Sequence, residues 1–428
     1  MSIRVYVNPC LKMNLKIQDI FKWLSPGIGV KRWIGLSFWG VFLIIIGSSF
    51  LKTEELWIIQ LLNVVILISG IIILILGIKS MMRTFIVGVM SAPTSSKDAQ
   101  LVDILYQKRH LSHGAKIVTV GGGTGLAVLL SGLKAYTSNI SAVVTVADDG
   151  GSSGRLRQEF DILPPGDIRN CLVALADAPV LMRDLFQFRF DTSSDLSGHS
   201  FGNLFITVMT RLTGDFEKAI KETSKVLALC GQVIPSTLNK INLVAKYKDG
   251  STTMGEEQIP KARKPIERVF LEPENSCATV DALKAIAEAR MIVLGPGSLY
   301  TSIIPNLLIK EISDAIASSE AIKVYVCNVM TQPGETDGYS ACDHIKTLIA
   351  HSHPRILNCC IINTGEISQD VLKRYARQNS YFVVNDAKKI ESMGYRVIED
   401  DFAIAEDGVI RHDPARLAKI ILGFIEEI

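Results

Sequence analysis

From Ala115 onward, short apolar runs alternate with stretches whose apolar positions recur every three or four residues. That rhythm predicts repeated βαβ units and a mainly parallel sheet. The runs Ile117–Val120, Ala142–Ala147, Met291–Leu294, Lys323–Asn328, Ile356–Asn363 and Tyr381–Val384 read as strands. Helical spacing marks Leu126–Tyr136, Ile168–Ala176, Phe201–Leu212, Phe216–Leu229, Val280–Ala289, Asn306–Ser318, Ala341–His351, Gln369–Gln378 and Pro414–Ile428. Between Ile234 and Pro273 the runs are short and partly alternating, and Asp249-Gly250 is a hairpin signal, so a small antiparallel β insertion is expected there.

The N-terminus has a different texture. Trp33–Leu51 and Leu56–Ile78 are apolar on every face, and each exceeds the ~18 residues needed to span a bilayer. Lys52-Thr53-Glu54-Glu55 leaves room only for a tight hairpin between them. Basic residues flank the pair (Arg4, Lys12, Lys16, Lys22, Lys31 and Arg32 before, Lys79 and Arg83 after), which places both termini in the cytoplasm of an inner-membrane, two-span protein. A cleaved signal peptide would have too long a basic leader and no A-x-A site. Residues 1–32 form a basic leader in which Lys12–Leu24 is weakly amphipathic. Residues 79–114 form a linker with a short helix at Asp98–Arg109, and 115–428 form the main domain.

Composition narrows the chemistry. The 428 residues carry a net charge of +2 and show no long basic run or nucleic-acid signature, so nucleic acid is not an expected partner. The eight cysteines form no C-x-x-C pair and read as buried reduced thiols; no metal site is expected, with Asp148 and Asp149 the only weak candidates.

The informative positions lie where the apolar runs end. Gly121, Gly122, Gly123, Thr124 and Gly125 follow the first strand and open a helix, so backbone N–H groups can face an anion. The dinucleotide spacing G-x-G-x-x-G fails, because Leu126 and Val128 stand where Gly or Ala is required. No G-x-x-x-x-G-K-[ST] occurs either. The loop reads as a phosphate cradle of another kind. After the second run come Asp148, Asp149, Gly150, Gly151, Ser152 and Arg155, which suit ribose hydroxyls and phosphate through a second nest of N–H groups; a capped helix start is the plainer alternative. Further polar loops supply Asp167, Arg169 and Asn170; His199 and Asn203; Gly295, Gly297, Ser298 and Thr301; Asn328, Thr331 and Gln332; and Arg411. Glu335 and Asp337 are acid or base candidates. Asp148, Asp149, Asp167 and His199 are the groups expected to matter if there is catalysis. Several such loops converging on one edge suit a large phosphorylated ligand.

These stretches resemble a known family. GGGTGL at 121–126, TVADDGGSSGRLR at 145–157, LPPGDIRNCLVALA at 163–176, GHSFGNL at 198–204, GPGSLYTSIIPNLL at 295–308 and CNVMTQPGETDGY at 327–339 are similar to the gluconeogenesis-factor (YvcK-type) family, a branch of the group related to 2-phospho-L-lactate transferase (CofD-type). The resemblance implies a Rossmann-like α/β/α domain that binds a UDP-sugar such as UDP-N-acetylglucosamine or UDP-glucose. It also implies a role in cell-wall growth and cell shape on gluconeogenic carbon sources, through contacts with envelope-synthesis proteins. No cofactor is required on that reading, and a homodimer is compatible with it. The transferase branch moves a phospholactyl group from a nucleotide donor with Mg²⁺. Its P-D-L-D-T-type segment is replaced here by LPPGDIRN, which favours a binding regulator over an enzyme. Family members usually lack a membrane hairpin, so residues 1–83 are expected to depart from the pattern.

Overall fold

The computed structural model describes residues 30–49, 57–90, 111–191, 196–406 and 408–426. The chain divides into two units, residues 1–110 and 111–428. The expected amphipathic segment at 12–24 and linker helix at 98–109 fall outside the described residues.

In the first unit two helices, Val30–Ser49 and Trp57–Met90, pack along each other. They include segments long and apolar enough to cross a membrane, Arg32–Ser49 and Trp57–Met82. The second helix runs on past the predicted end at Ile78. Glycines form the seam. A Cβ on Gly40 would lie 2.7 Å from the Leu74 backbone nitrogen, and one on Gly70 would lie 2.9 Å from the Gly40 carbonyl. Backbones approaching this closely gain dispersion contacts, the way helices associate where lipid removes a hydrophobic drive.

The second unit is a doubly wound α/β domain. Its strands, numbered in chain order, are β1 Ile117–Gly121, β2 Ile140–Val144, β3 Gln232–Pro235, β4 Asn242–Tyr247, β5 Thr252–Met254, β6 Ile266–Glu272, β7 Met291–Leu294, β8 Ile322–Val326, β9 Cys359–Asn363, β10 Arg396–Asp400, β11 Ala403–Glu406 and β12 Val409–His412. Seven of them form one parallel sheet in the order β10-β9-β8-β7-β1-β2-β3. The central strands β1 and β7 are buried along their whole length, as expected where helices cover both faces. Gly132 lets the C-terminal helix Pro414–Glu426 come close: a Cβ there would sit 2.0 Å from the Pro414 carbonyl oxygen.

The order has one reversal. From β1 the chain steps outward to β2 and β3; from β7 it steps the other way. Right-handed crossovers therefore put the two sets of helices on opposite faces. A crevice opens at the carboxyl ends of β1 and β7, the topological switch point where such sheets bind ligands.

Four expectations change. The second strand ends at Val144, so Thr145–Ala147 already belong to the carboxyl-edge loop. Tyr381–Val384 makes only isolated bridges to Met330 and Ser340, while the polar-looking Arg396–Asp400 pairs with β9 as the edge strand. The helix expected at 306–318 is split between a short turn of helix at Ile304–Leu307, which a π turn at Leu299–Ile303 precedes, and a helix at Lys310–Ser318. Gln232–Pro235 joins the main sheet, and the insertion proper is the antiparallel sheet β5-β4-β6. At Gly151–Phe160 the plainer alternative, a helix start, is the one found.

Candidate functional site

Two glycine loops face each other at the switch point. Past β1, Gly123 takes φ +66°, a left-handed conformation that glycine adopts without a Cβ clash, and starts the helix Gly123–Leu133. Past β7, Gly297 is clipped by Asn328, whose Nδ2 donates to the Gly297 carbonyl at 2.8 Å. The loops touch at Gly125, where a Cβ would lie 2.8 Å from the Pro296 carbonyl oxygen. Between them is a pocket of about 290 Å³ lined by Gly122–Gly125, Gly297, Ser298, Asn328, Gln332 and Arg411. Thr124, Gly125 and Arg411 also border a second chamber of about 880 Å³.

One side of the glycine loop is acidic. Asp167, in the first turn of the helix Gly166–Leu175, accepts a hydrogen bond from the Gly123 N–H. Its Oδ2 is buried without a partner, 2.4 Å from where a Gly122 Cβ would stand. Asp148 accepts from the Gly150 N–H at 2.9 Å, and Asp149 accepts from the Glu257 N–H at 2.9 Å, tying the β insertion to the site. Glu335 accepts from the Ser298 hydroxyl. Glu256, from the insertion, has a buried Oε2 with no partner. Burial pushes Asp148, Asp167, Glu256 and Glu335 upward. It raises Asp148; it raises Asp167, with the Asp148 charge adding to it; and it raises Glu335 to about 7. Glu256 is raised by burial and then by the charges of Asp167, Asp148, Asp149 and Glu335. Carboxylates are the ligands Mg²⁺ prefers. Yet among the described residues no three His, Cys, Asp or Glu groups converge on a point that would hold an ion. The arrangement does not fit a metal as it stands.

The other side is basic. Lys134, Arg169, Arg183, Arg189 and Arg411 line the larger chamber, with Asp184 the only acid among its lining residues. Arg169 is 7% exposed and donates to Asn203 Oδ1 at 2.9 Å and Asn170 Oδ1 at 2.7 Å, as well as to the Ser200 hydroxyl. All three partners are neutral. Burial, followed by the Arg189 charge, pulls its pKa down.

Several predicted residues serve this frame from behind. His199 shares a hydrogen bond of 3.0 Å with the Ser152 hydroxyl, which Asn203 Nδ2 also contacts at 3.1 Å. Burial, then Arg155, lowers the His199 pKa. At Asp148–Gly154, Gly150 and Gly151 start a helix, and the Gly154 N–H donates to the Gly150 carbonyl. Arg155 is exposed and donates to the Ser197 carbonyl at 2.6 Å, outside both pockets. Thr301 Oγ1 donates to Ser298 Oγ at 2.8 Å, and Thr331 is paired with the Tyr381 backbone. Asp337 caps the turn at Gly334. The residues missed from sequence are Lys134, Arg183, Arg189 and Glu256. No glycine burst or motif marks them.

Comparison with known proteins gives the family and the fold. The family model for 2-phospho-L-lactate transferase CofD matches residues 117–403. A protein of Bacillus subtilis named gluconeogenesis factor is 46% identical over 312 residues, covering 73% of this chain and 98% of its own. A relative from Nostoc sp. is 46% identical over 424 residues, covering 95% of this chain and 93% of its own, so likeness reaches into the N-terminal unit as well. The Bacillus subtilis relative, nearly all of whose length is covered by 73% of this chain, fits the expectation that usual members lack the hairpin region, and the Nostoc relative shares it. A crystal structure of a UPF0052-family protein from Bacillus halodurans has a TM-score of 0.70 at 48% identity and is covered over 99% of its length by 72% of this chain. The chain belongs to the CofD family, among its members that carry the name gluconeogenesis factor.

Proposed function

We propose that the switch-point pocket binds a nucleotide-sugar of the UDP-N-acetylglucosamine type and that the protein acts as a regulator of envelope synthesis rather than as an enzyme. The observation that carries this is the pair of glycine loops held in contact, with Arg411 beside both. Backbone N–H groups at a helix start and one guanidinium suit a diphosphate. Asn328 and Gln332 offer amide groups to a sugar or base. On this reading the N-terminal hairpin holds the domain at the cytoplasmic face of the inner membrane, where envelope-synthesis proteins are within reach. Calorimetric titration of residues 111–428 with UDP-N-acetylglucosamine and UDP-glucose tests the binding; no heat at millimolar ligand sinks it. Alkaline extraction tests the tether: the full chain stays with the membrane pellet.

A second reading, transfer of a phosphorylated group from a nucleotide donor, is favoured by the family model and by carboxylates that titrate near neutrality. Buried acids with such pKa values are candidates for moving protons. Asp167 and Glu335 would hold and release the proton. Mass spectrometry after incubation with nucleotide-activated donors and a deazaflavin acceptor decides it, an unchanged mass counting against transfer.

A further inference from the structure

The larger chamber asks for something the nucleotide pocket does not supply. Lys134, Arg169, Arg183 and Arg189 surround it, and among the described residues none of the four is in an ion pair with a carboxylate. Lys134 donates only to the Ala176 carbonyl, and Arg189 to the Gly198 carbonyl. The Nε atoms of Arg169 and Arg183 are buried with no acceptor at all, and Arg169 is more than nine-tenths buried. The cations also disfavour one another: after burial, the largest effect lowering the Lys134 pKa is the Arg183 charge. A lysine can relieve such strain by losing its proton; a guanidinium cannot. Gathering four cations around a recess lined by a single carboxylate, Asp184, costs stability, and violations of that kind mark functional sites.

We infer that this chamber is a binding site for a second ligand, a small molecule carrying two or more phosphate charges, seated beside the nucleotide-sugar. The inference rests on the nucleotide reading only in calling the ligand second. A small molecule is favoured over an acidic protein segment because the charges line a recess of about 880 Å³, within the size range of small-molecule sites. Guanidinium forks match phosphate oxygens in pairs, and arginine supplies three of the four cations. The two chambers meet at Thr124, Gly125 and Arg411, so occupancy of one bears on the other.

Inorganic pyrophosphate is the probe, titrated calorimetrically into the full chain in detergent micelles, alone and with UDP-N-acetylglucosamine at saturation. The expected result is pyrophosphate binding in both conditions. It weakens tenfold or more in Arg183→Ala and in Arg189→Ala, while affinity for UDP-N-acetylglucosamine stays within twofold. Melting temperature establishes that each variant is folded, and the exposed Arg189 serves if Arg183→Ala does not fold. Pyrophosphate binding that depends on Arg183 in a chain that ignores UDP-N-acetylglucosamine supports the site and defeats only the nucleotide reading. Pyrophosphate displaced by UDP-N-acetylglucosamine, with both weakened by Arg183→Ala, overturns the inference: the chamber is then part of one ligand's site. Absence of pyrophosphate binding at millimolar concentration overturns it too.

Discussion

The two walls beside the Gly121–Gly125 loop face the same problem and resolve it differently. On the acidic wall, Asp148, Asp167, Glu256 and Glu335 are crowded and buried, and each has its pKa raised. A carboxylate in that position sheds its charge by taking up a proton. On the basic wall, Arg169, Arg183, Arg189 and Arg411 keep theirs at any accessible pH. Asp167 and Arg169 are two residues apart in one helical turn, yet they belong to opposite walls. The acidic wall is neutralised from within; the basic wall calls for an anion from outside.

The comparison breaks most visibly at Arg169. Arg169→Ala removes the donor shared by Ser200, Asn203 and Asn170, and denaturant unfolding of residues 111–428 is expected to show a loss of about 3 kcal/mol. Lysine at this position restores little, because it lacks the planar fork. Next comes Arg411, which borders both chambers and whose side chain has no hydrogen bond or ion pair among the described residues. Arg411→Ala is expected to weaken nucleotide-sugar binding roughly tenfold to a hundredfold, the worth of a charged hydrogen bond, as read by calorimetry.

The acidic wall gives a smaller, pH-dependent signal. Glu335 holds a proton in the folded state up to about pH 7 that the unfolded chain releases near its ordinary value of 4.5. Folded protein therefore binds more protons between those values, and stability falls as pH rises through that window, by about 1.4 kcal/mol per pH unit for each such proton. Glu335→Gln and Asp167→Asn should each flatten the slope of melting temperature against pH from 5 to 7. The smallest effect belongs to a charge that water already screens. Lys221, 57% exposed in its pairs with Glu217 and Asp281, should change stability by less than about 1 kcal/mol when replaced by alanine.

How much of this was legible in sequence follows from what is local. β1, β7 and their glycine loops are apolar runs that stop at small residues, so strand, turn and helix start can be read from consecutive positions. The apolar hairpin and the β insertion are equally local. The basic wall is not. Lys134 follows one helix, Arg183 lies in Val180–Gln187 and Arg189 comes just after it; only the pairing order of the sheet brings them to one recess. Glu256 arrives from the insertion. The edge strand Arg396–Asp400 is half exposed and carries three charges, so it lacks the apolar signature of the buried strands. At 151–160 the opening glycine and serines suit a ligand loop and a capped helix start alike, so the sequence left both open and the fold holds the helix.

The most direct test of the central claim is a crystal structure of residues 111–428 with UDP-N-acetylglucosamine. The account predicts the diphosphate between Gly122–Gly125 and Gly295–Ser298, with the Arg411 guanidinium on it. A ligand seated elsewhere, such as the groove at the amino ends of the strands beside Lys116 and Lys284, would contradict it.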